Sequence, residues 1–404
     1  SARDSIAVTG MGTITPFGSG IATLSRALRA GSSAIQFWDI EPFATKRAAA
    51  LIPNKDLTEW LEEMVGPAEK YRREAKNLLK KTSKSVVLSA LAGVEAWCDA
   101  GLDDKSVALG ETGVIVGGHD LAMGYAESLR PKFERSPHHL PPSYALHMLD
   151  TDHIGVLSAL LGIHEYGMTV GGASASGNMG LIQGVHLIRL GVLDRCLIVG
   201  PLAELNAMAL QAFDAMGALG GRELSLCAAQ SSRPFDKARS GFVYGQASAA
   251  VVLERQSLAL ERGVSVHGYI RGTGVALDGT VLPSPSVEGE AKAMNKALTQ
   301  GGVSSKMIDL INAHATSSVL GDEVELEAIA AVFGAHKKEV LIQSTKALTG
   351  HTLWAAGLLE FVAVLIQMGE NFIHPSPNLR EPIRDDLSFV GLESVTPGPS
   401  LVLN

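Results

Sequence analysis

Three short stretches hold residues able to do chemistry. In Tyr166-Gly-Met-Thr-Val-Gly-Gly-Ala-Ser174-Ala-Ser-Gly-Asn178-Met-Gly, a β-branched run leads through a turn of small residues into a helical pattern. A side chain at such a turn lies beside the free N–H groups and the positive dipole end of the helix, a setting that favours an anion. The hydroxyl of Ser174 is a weak acid, so it attacks only when a base is positioned for it. The plainer reading is that Ser174 is a small N-cap. The other stretches, Asn312-Ala-His314-Ala-Thr316-Ser-Ser318 and Thr345-Lys346-Ala-Leu-Thr-Gly350-His351, add two imidazoles, an ammonium and two hydroxyls. Two better-known patterns fail: Gly10-Met-Gly12 lacks the third glycine of a dinucleotide turn, and Gly172-Ala-Ser174-Ala-Ser176 lacks the second glycine of a nucleophile elbow.

The elements that must position these residues alternate in type. Strand candidates fall near residues 5–9, 112–116, 168–170, 196–199, 249–253, 266–273, 309–312, 341–344 and 401–403, with helical stretches between them, which implies a mostly parallel sheet covered by helices. A strand at 168–170, a small-residue turn and a helix near 176–190 are echoed by a strand at 341–344, a turn and a helix near 352–368. Both helices are apolar nearly all round, so both belong in a buried middle layer, and the run at 353–368 reads as a core helix although it contains Glu360 and Gln367. Two related halves, 1–254 with the nucleophile position and 255–404 with the histidine motifs, would bring the two helix N-termini to a common centre.

The chain of 404 residues is 46% hydrophobic and 19% charged, with 43 glycines, which favours compact α/β layers packed on small residues. A net charge of -8 argues against nucleic acid as a general partner. Cys98, Cys196 and Cys227 are too few and too scattered for a disulfide framework or a zinc site. No metal is expected. The opening Ser1-Ala-Arg-Asp-Ser-Ile-Ala-Val8 shows no signal peptide, and a reducing cytoplasm and no membrane association are expected.

Together with Val8-Thr-Gly10-Met-Gly12-Thr-Ile-Thr-Pro16-Phe-Gly18 and Ser232-Arg-Pro-Phe235-Asp-Lys-Ala-Arg239-Ser-Gly241-Phe242-Val, the three motifs make the chain resemble the β-ketoacyl-acyl carrier protein synthases, or ketosynthases, with serine in place of the nucleophilic cysteine. The resemblance implies a thiolase-like five-layered αβαβα fold of two pseudo-symmetric halves. It implies that His314 and His351 bind the thioester carbonyl of a malonyl group, that Lys346, balanced by Glu325, holds the histidine network, and that Thr316 and Ser318 bind the pantetheine arm. No cofactor is expected beyond the phosphopantetheine carrying the substrate. The Gly-Phe-Gly-Gly-Thr-Asn loop expected of the family would lie beyond Asn404.

Three departures bear on activity. Gln246 replaces an acid, Ala315 a glycine, and Trp354 a small residue whose space would otherwise hold a growing acyl chain. A site that keeps both histidines and the lysine but has no thiolate should decarboxylate without transferring chains. This resembles the Cys-to-Ser ketosynthase-like decarboxylases of polyketide β-branching cassettes, which turn malonyl- into acetyl-carrier protein for a hydroxymethylglutaryl synthase-like partner. The alternatives are a non-catalytic chain-length-factor-like subunit and a condensing enzyme whose cysteine was replaced. The run Lys70, Arg72, Arg73, Lys76, Lys80, Lys81 and Lys84 reads either as a docking face for an acidic acyl carrier protein or as a solvated helix face. The resemblance also implies a homodimer.

Overall fold

In the computed structural model, which describes residues 5–223, 227–280 and 284–404, the fully buried strand Ile6–Thr15 anchors the larger of two layered sheets. The leader reading rests in part on residues 1–4, outside the described residues. The strand order is Gly18–Ser19, Ile6–Thr15, Ser248–Arg255, Arg195–Gly200, Thr112–Gly117 and Tyr166–Val170, with Gly268–Ile270 also paired to Ile6–Thr15. The last three strands of this order are parallel. Ser248–Arg255 runs antiparallel to both its neighbours, so the sheet is mixed where the sequence suggested a mostly parallel one. A smaller sheet, in the order Ser388–Phe389, Leu341–Gln343, Leu310–Asn312, Val402–Leu403, is parallel throughout.

Helix Lys84–Asp99 covers the outer face of the larger sheet. A Cβ on Gly10 or Gly12 would lie 2.0 Å from the Ala96 carbonyl oxygen or 2.1 Å from that of Ala92, so this Gly-Met-Gly seats a helix on a strand. The second half repeats the device: Gly272 and Gly274 face the Ala297 and Ala293 carbonyls of helix Val287–Gly301 equally closely. That helix packs with Val319–Phe333, and Leu298, Ile311, Leu326, Ile329 and Ile342 form a core beside the smaller sheet.

Between the sheets lie helices Ser176–Arg189 and Ala356–Glu370. The window Leu353–Glu370 is long and apolar enough to cross a membrane, but 78% of it is buried inside the protein, which makes it a core helix as its sequence indicated. The two helices cross near their N-termini: a Cβ on Gly177 would meet the Leu358 amide at 2.7 Å, and one on Gly357 would meet Asn178 at 2.7 Å. Each helix follows a single 3₁₀ turn, Ala173–Ala175 or Leu353–Ala355, whose first residue has positive φ, 48° at Ala173 and 53° at Leu353. The layers thus run αβαβα, with Ser174 and Trp354 at matching places in two related turns.

Candidate active site

Ser174 comes from the first of these turns, and its Oγ lies 3.0 Å from His351 Nε2. The N-cap reading of Ser174 is corrected. The turn's own bonds are made by Ser176, which accepts the Gly172 N–H at 2.9 Å and donates to the Ala173 carbonyl at 2.7 Å, leaving the Ser174 hydroxyl facing the histidine.

His351 is fixed through its backbone. Its N–H donates to the Val243 carbonyl at 2.7 Å, and its carbonyl accepts from Gly245 at 2.9 Å. The preceding Gly350, at φ 65°, passes so close to Val243 that a Cβ would lie 2.9 Å from its carbonyl oxygen. The ring packs edge-to-face on Phe242 at 5.4 Å. His351 Nδ1 accepts the Leu353 N–H at 3.3 Å. A neutral imidazole that accepts at Nδ1 carries its proton at Nε2, so this backbone N–H assigns the tautomer. Nε2–H therefore donates toward Ser174 and the cleft, and a ring in this state has no lone pair with which to take the serine proton.

His314 stands beside it, ring centroids 5.2 Å apart and planes at 85°. The N–H groups of His314 and Ala315 each donate at 2.7 Å to one oxygen of Glu325. Ala315, buried at φ 28°, holds with a methyl group a left-handed conformation that glycine would adopt more easily. Desolvation first, and then the Lys346 ammonium, hold the pKa of both histidines below the usual value, that of His351 well below it, so both rings are neutral. His314 is open on its cleft side, where solvent moderates this shift, yet both causes act in the same direction.

Lys346 is buried, as its motif implies, but its ion pair differs from the expected one. Its Nζ bonds Glu360 on the middle-layer helix, whereas Glu325 caps the His314 loop and senses Lys346 only across space. A glutamate on a helix that is otherwise core must find a cation, and the buried ammonium is the one within reach. Thr316 and Ser318 are half-buried in the His314 loop and bond each other at 2.9 Å. Gln246 is buried, accepting the Ile52 N–H at 3.0 Å and donating to Tyr244 Oη at 3.2 Å, so the amide belongs to a neutral network.

The basic run divides. Lys70 pairs with Asp103 at 2.7 Å, Arg72 donates to the Met64 carbonyl at 2.6 Å, and Lys84 donates to the Ile52 carbonyl at 3.1 Å. Arg73, Lys76 and Lys80 are exposed at i, i+3, i+7 spacing along and just beyond helix Arg72–Leu79, with Lys81 beside them. Glu360 and Phe242 were missed as site residues from sequence. Only Glu360 carried a signal there, as an acid in an apolar helix.

Residues 3–259 match the family model described as Beta-ketoacyl synthase, N-terminal domain, and residues 267–380 match Beta-ketoacyl synthase, C-terminal domain. The chain is 36% identical over 324 residues to the polyketide biosynthesis malonyl-ACP decarboxylase PksF of Bacillus subtilis (strain 168), a match covering 80% of this chain and 77% of the relative. It is 28% identical over 384 residues to the 3-oxoacyl-[acyl-carrier-protein] synthase 2 of Vibrio cholerae, covering 93% and 89%. Among solved structures, the ishigamide ketosynthase/chain length factor superposes with a TM-score of 0.86 at 27% identity, covering 99% of this chain and 95% of that one.

Proposed function

Because the chain belongs to the β-ketoacyl synthase family, we propose that it decarboxylates malonyl-acyl carrier protein to acetyl-acyl carrier protein, as a lyase of polyketide β-branching. The observation that carries this reading is the Leu353 N–H directed at His351 Nδ1, which leaves the ring proton on Nε2. Its Nε2–H is a donor facing the Ser174 hydroxyl, where this reading puts the developing charge of a thioester oxygen, and it is not a base for Ser174. In the proposed reaction the thioester oxygen rests on the Nε2–H of His351 and on a ring N–H of His314. The bond between C2 and the carboxylate breaks, carbon dioxide leaves, and its electron pair enters the enolate held by the two imidazoles. A solvent proton then completes the acetyl group. Neutral donors suit this step, because they neither protonate the carboxylate nor repel Lys346. The relative from Bacillus subtilis, named for this reaction, supports the same assignment.

We further infer that a phosphopantetheine arm enters past Thr316 and Ser318, that Arg73, Lys76 and Lys80 meet the acidic carrier, and that the product passes to a hydroxymethylglutaryl synthase-like partner in the cytoplasm. The proposed assembly is a homodimer, supported by the open edge strand Tyr166–Val170 and by exposed Phe133, Leu146, Met148 and Leu149. A sedimentation mass of one chain at micromolar concentration would refute the dimer. Incubating the protein with malonyl-loaded carrier protein and weighing the carrier tests the function: loss of carbon dioxide is expected. An unchanged carrier would move the reading to a non-catalytic subunit of a ketosynthase heterodimer, one of the two alternatives considered from the sequence.

A further inference from the structure

We propose that the stacked rings of His119 and Trp354 close the site behind residue 174 and restrict it to acyl groups of two or three carbons. This takes residue 174 as the place an acyl group approaches, and so rests on the proposed function. Trp354 occupies, in the turn Leu353–Ala355, the place that Ser174 occupies in Ala173–Ala175, and the two turns pack against each other. The indole therefore reaches back into the half that carries Ser174. It is 7% exposed and stacks on His119 with centroids 4.2 Å apart, planes tilted by 37°. Its Nε1–H is buried without an acceptor among the described residues.

His119 is wedged from the other side. A Cβ on Gly171, three residues before Ser174, would lie 3.3 Å from His119 Cδ2, so the glycine is what lets the ring sit against the turn. The ring's Nδ1 pairs with Asp120 Oδ2 at 2.9 Å. Asp120 is held at φ 52°, and the Asp150 carboxylate takes the N–H of Asp120 at 3.0 Å and of Leu121 at 2.8 Å. A strained residue persists where its surroundings over-determine it, and here a carboxylate clamps both amides that set the histidine's direction. Gly171, Gly172, Ala173 and Ala175 leave space around Ser174 by their small size and are exposed on one side, while the two rings bound the turn at Gly171 and at the paired turn Leu353–Ala355. A long acyl chain on residue 174 would have to displace an aromatic pair fixed from two sides. A malonyl or acetyl group stays on the histidine side and never meets it.

Ser174→Cys turns the position into a reporter, since a thiolate at this helix start reacts with thioesters and each adduct is read by intact mass. Acetyl- and malonyl-coenzyme A are expected to label Ser174→Cys at least about tenfold faster than octanoyl-coenzyme A does, a gap of one decade in rate. Ser174→Cys/Trp354→Ala and Ser174→Cys/His119→Ala should close that gap. The His119 variant removes a half-exposed ring, which keeps the test sound if the Trp354 variant folds poorly. Octanoyl labelling of Ser174→Cys as fast as acetyl labelling, no labelling by acetyl at all, or a gap unchanged in both double variants would each overturn the proposal. Failure of the decarboxylase reading shows elsewhere, as absent carbon dioxide release by the unsubstituted protein.

Discussion

At the scale of single residues, the proposed mechanism rests on two neutral imidazoles and on a serine hydroxyl with no base beside it. His351 receives a backbone N–H at Nδ1 and presents Nε2–H to the cleft, and His314 adds a second neutral ring. Alanine at either histidine should remove about 2.7–4 kcal/mol of transition-state stabilisation, the order measured for one oxyanion-hole donor. Carbon dioxide release should then fall about a hundredfold or more, and unchanged release in both variants would end the two-histidine mechanism. The pH dependence has a defined sign. Because both pKa values are depressed, lowering the pH from 8 through 6.5 leaves the rings neutral, and the histidine contribution to kcat stays flat; it is lost only as pH approaches the depressed values. A midpoint near 6.5 that vanishes in His351→Ala would contradict this. Ser174→Ala should retain decarboxylation within about tenfold, since its hydroxyl lacks a base. An acyl-serine adduct on the unsubstituted protein, lost together with turnover in Ser174→Ala, would reverse the assignment.

At the scale of elements, the two middle helices and their turns hold the site together. The Ser174 turn and both histidine motifs were legible in the sequence because each is a local pattern of small residues around one polar side chain. The ion pair was not, since Glu360 lies 14 positions after Lys346 and only the folding of the turn back onto its own helix joins them. Glu325, the partner inferred from sequence, instead satisfies two N–H groups of a loop bent by positive φ at Ala315 and Ser317. The contact of His119 with Trp354 was equally hidden, because it depends on how the two halves meet. Glu360→Ala leaves a buried ammonium without its partner and should cost about 3–5 kcal/mol, the usual penalty for breaking a buried pair. The denaturant midpoint should fall with little change in slope. Replacing both members, Lys346→Met with Glu360→Leu, should recover much of that loss because no uncompensated charge remains. Equal destabilisation by the single and double changes would show that the pair acts on something other than its own burial.

At the scale of the whole molecule, charge is distributed against the net value of -8. The layered order followed from alternating strand and helix patterns, but the antiparallel return of Ser248–Arg255 could not, because periodicity carries no strand direction. The basic run likewise looked uniform in sequence. Folding commits Lys70, Arg72 and Lys84 to carbonyls or a carboxylate and leaves Arg73, Lys76 and Lys80 along one exposed face. Changing Arg72 would therefore disturb the packing at Met64 as well as the charge, so the informative variant reverses only the three outward residues. Arg73→Glu, Lys76→Glu and Lys80→Glu together should weaken use of malonyl-carrier protein, with the loss falling on kcat/KM and growing smaller as salt is raised. A small malonyl thioester such as malonyl-coenzyme A should be decarboxylated at nearly the unaltered rate, because it bypasses the protein–protein encounter while using the same two histidines. Equal kcat/KM for the carrier-bound substrate before and after the triple change would make this face a solvated surface. A parallel loss on both substrates would mean that the substitutions had reached the core through helix Arg72–Leu79, whose Ala75 and Leu79 are buried.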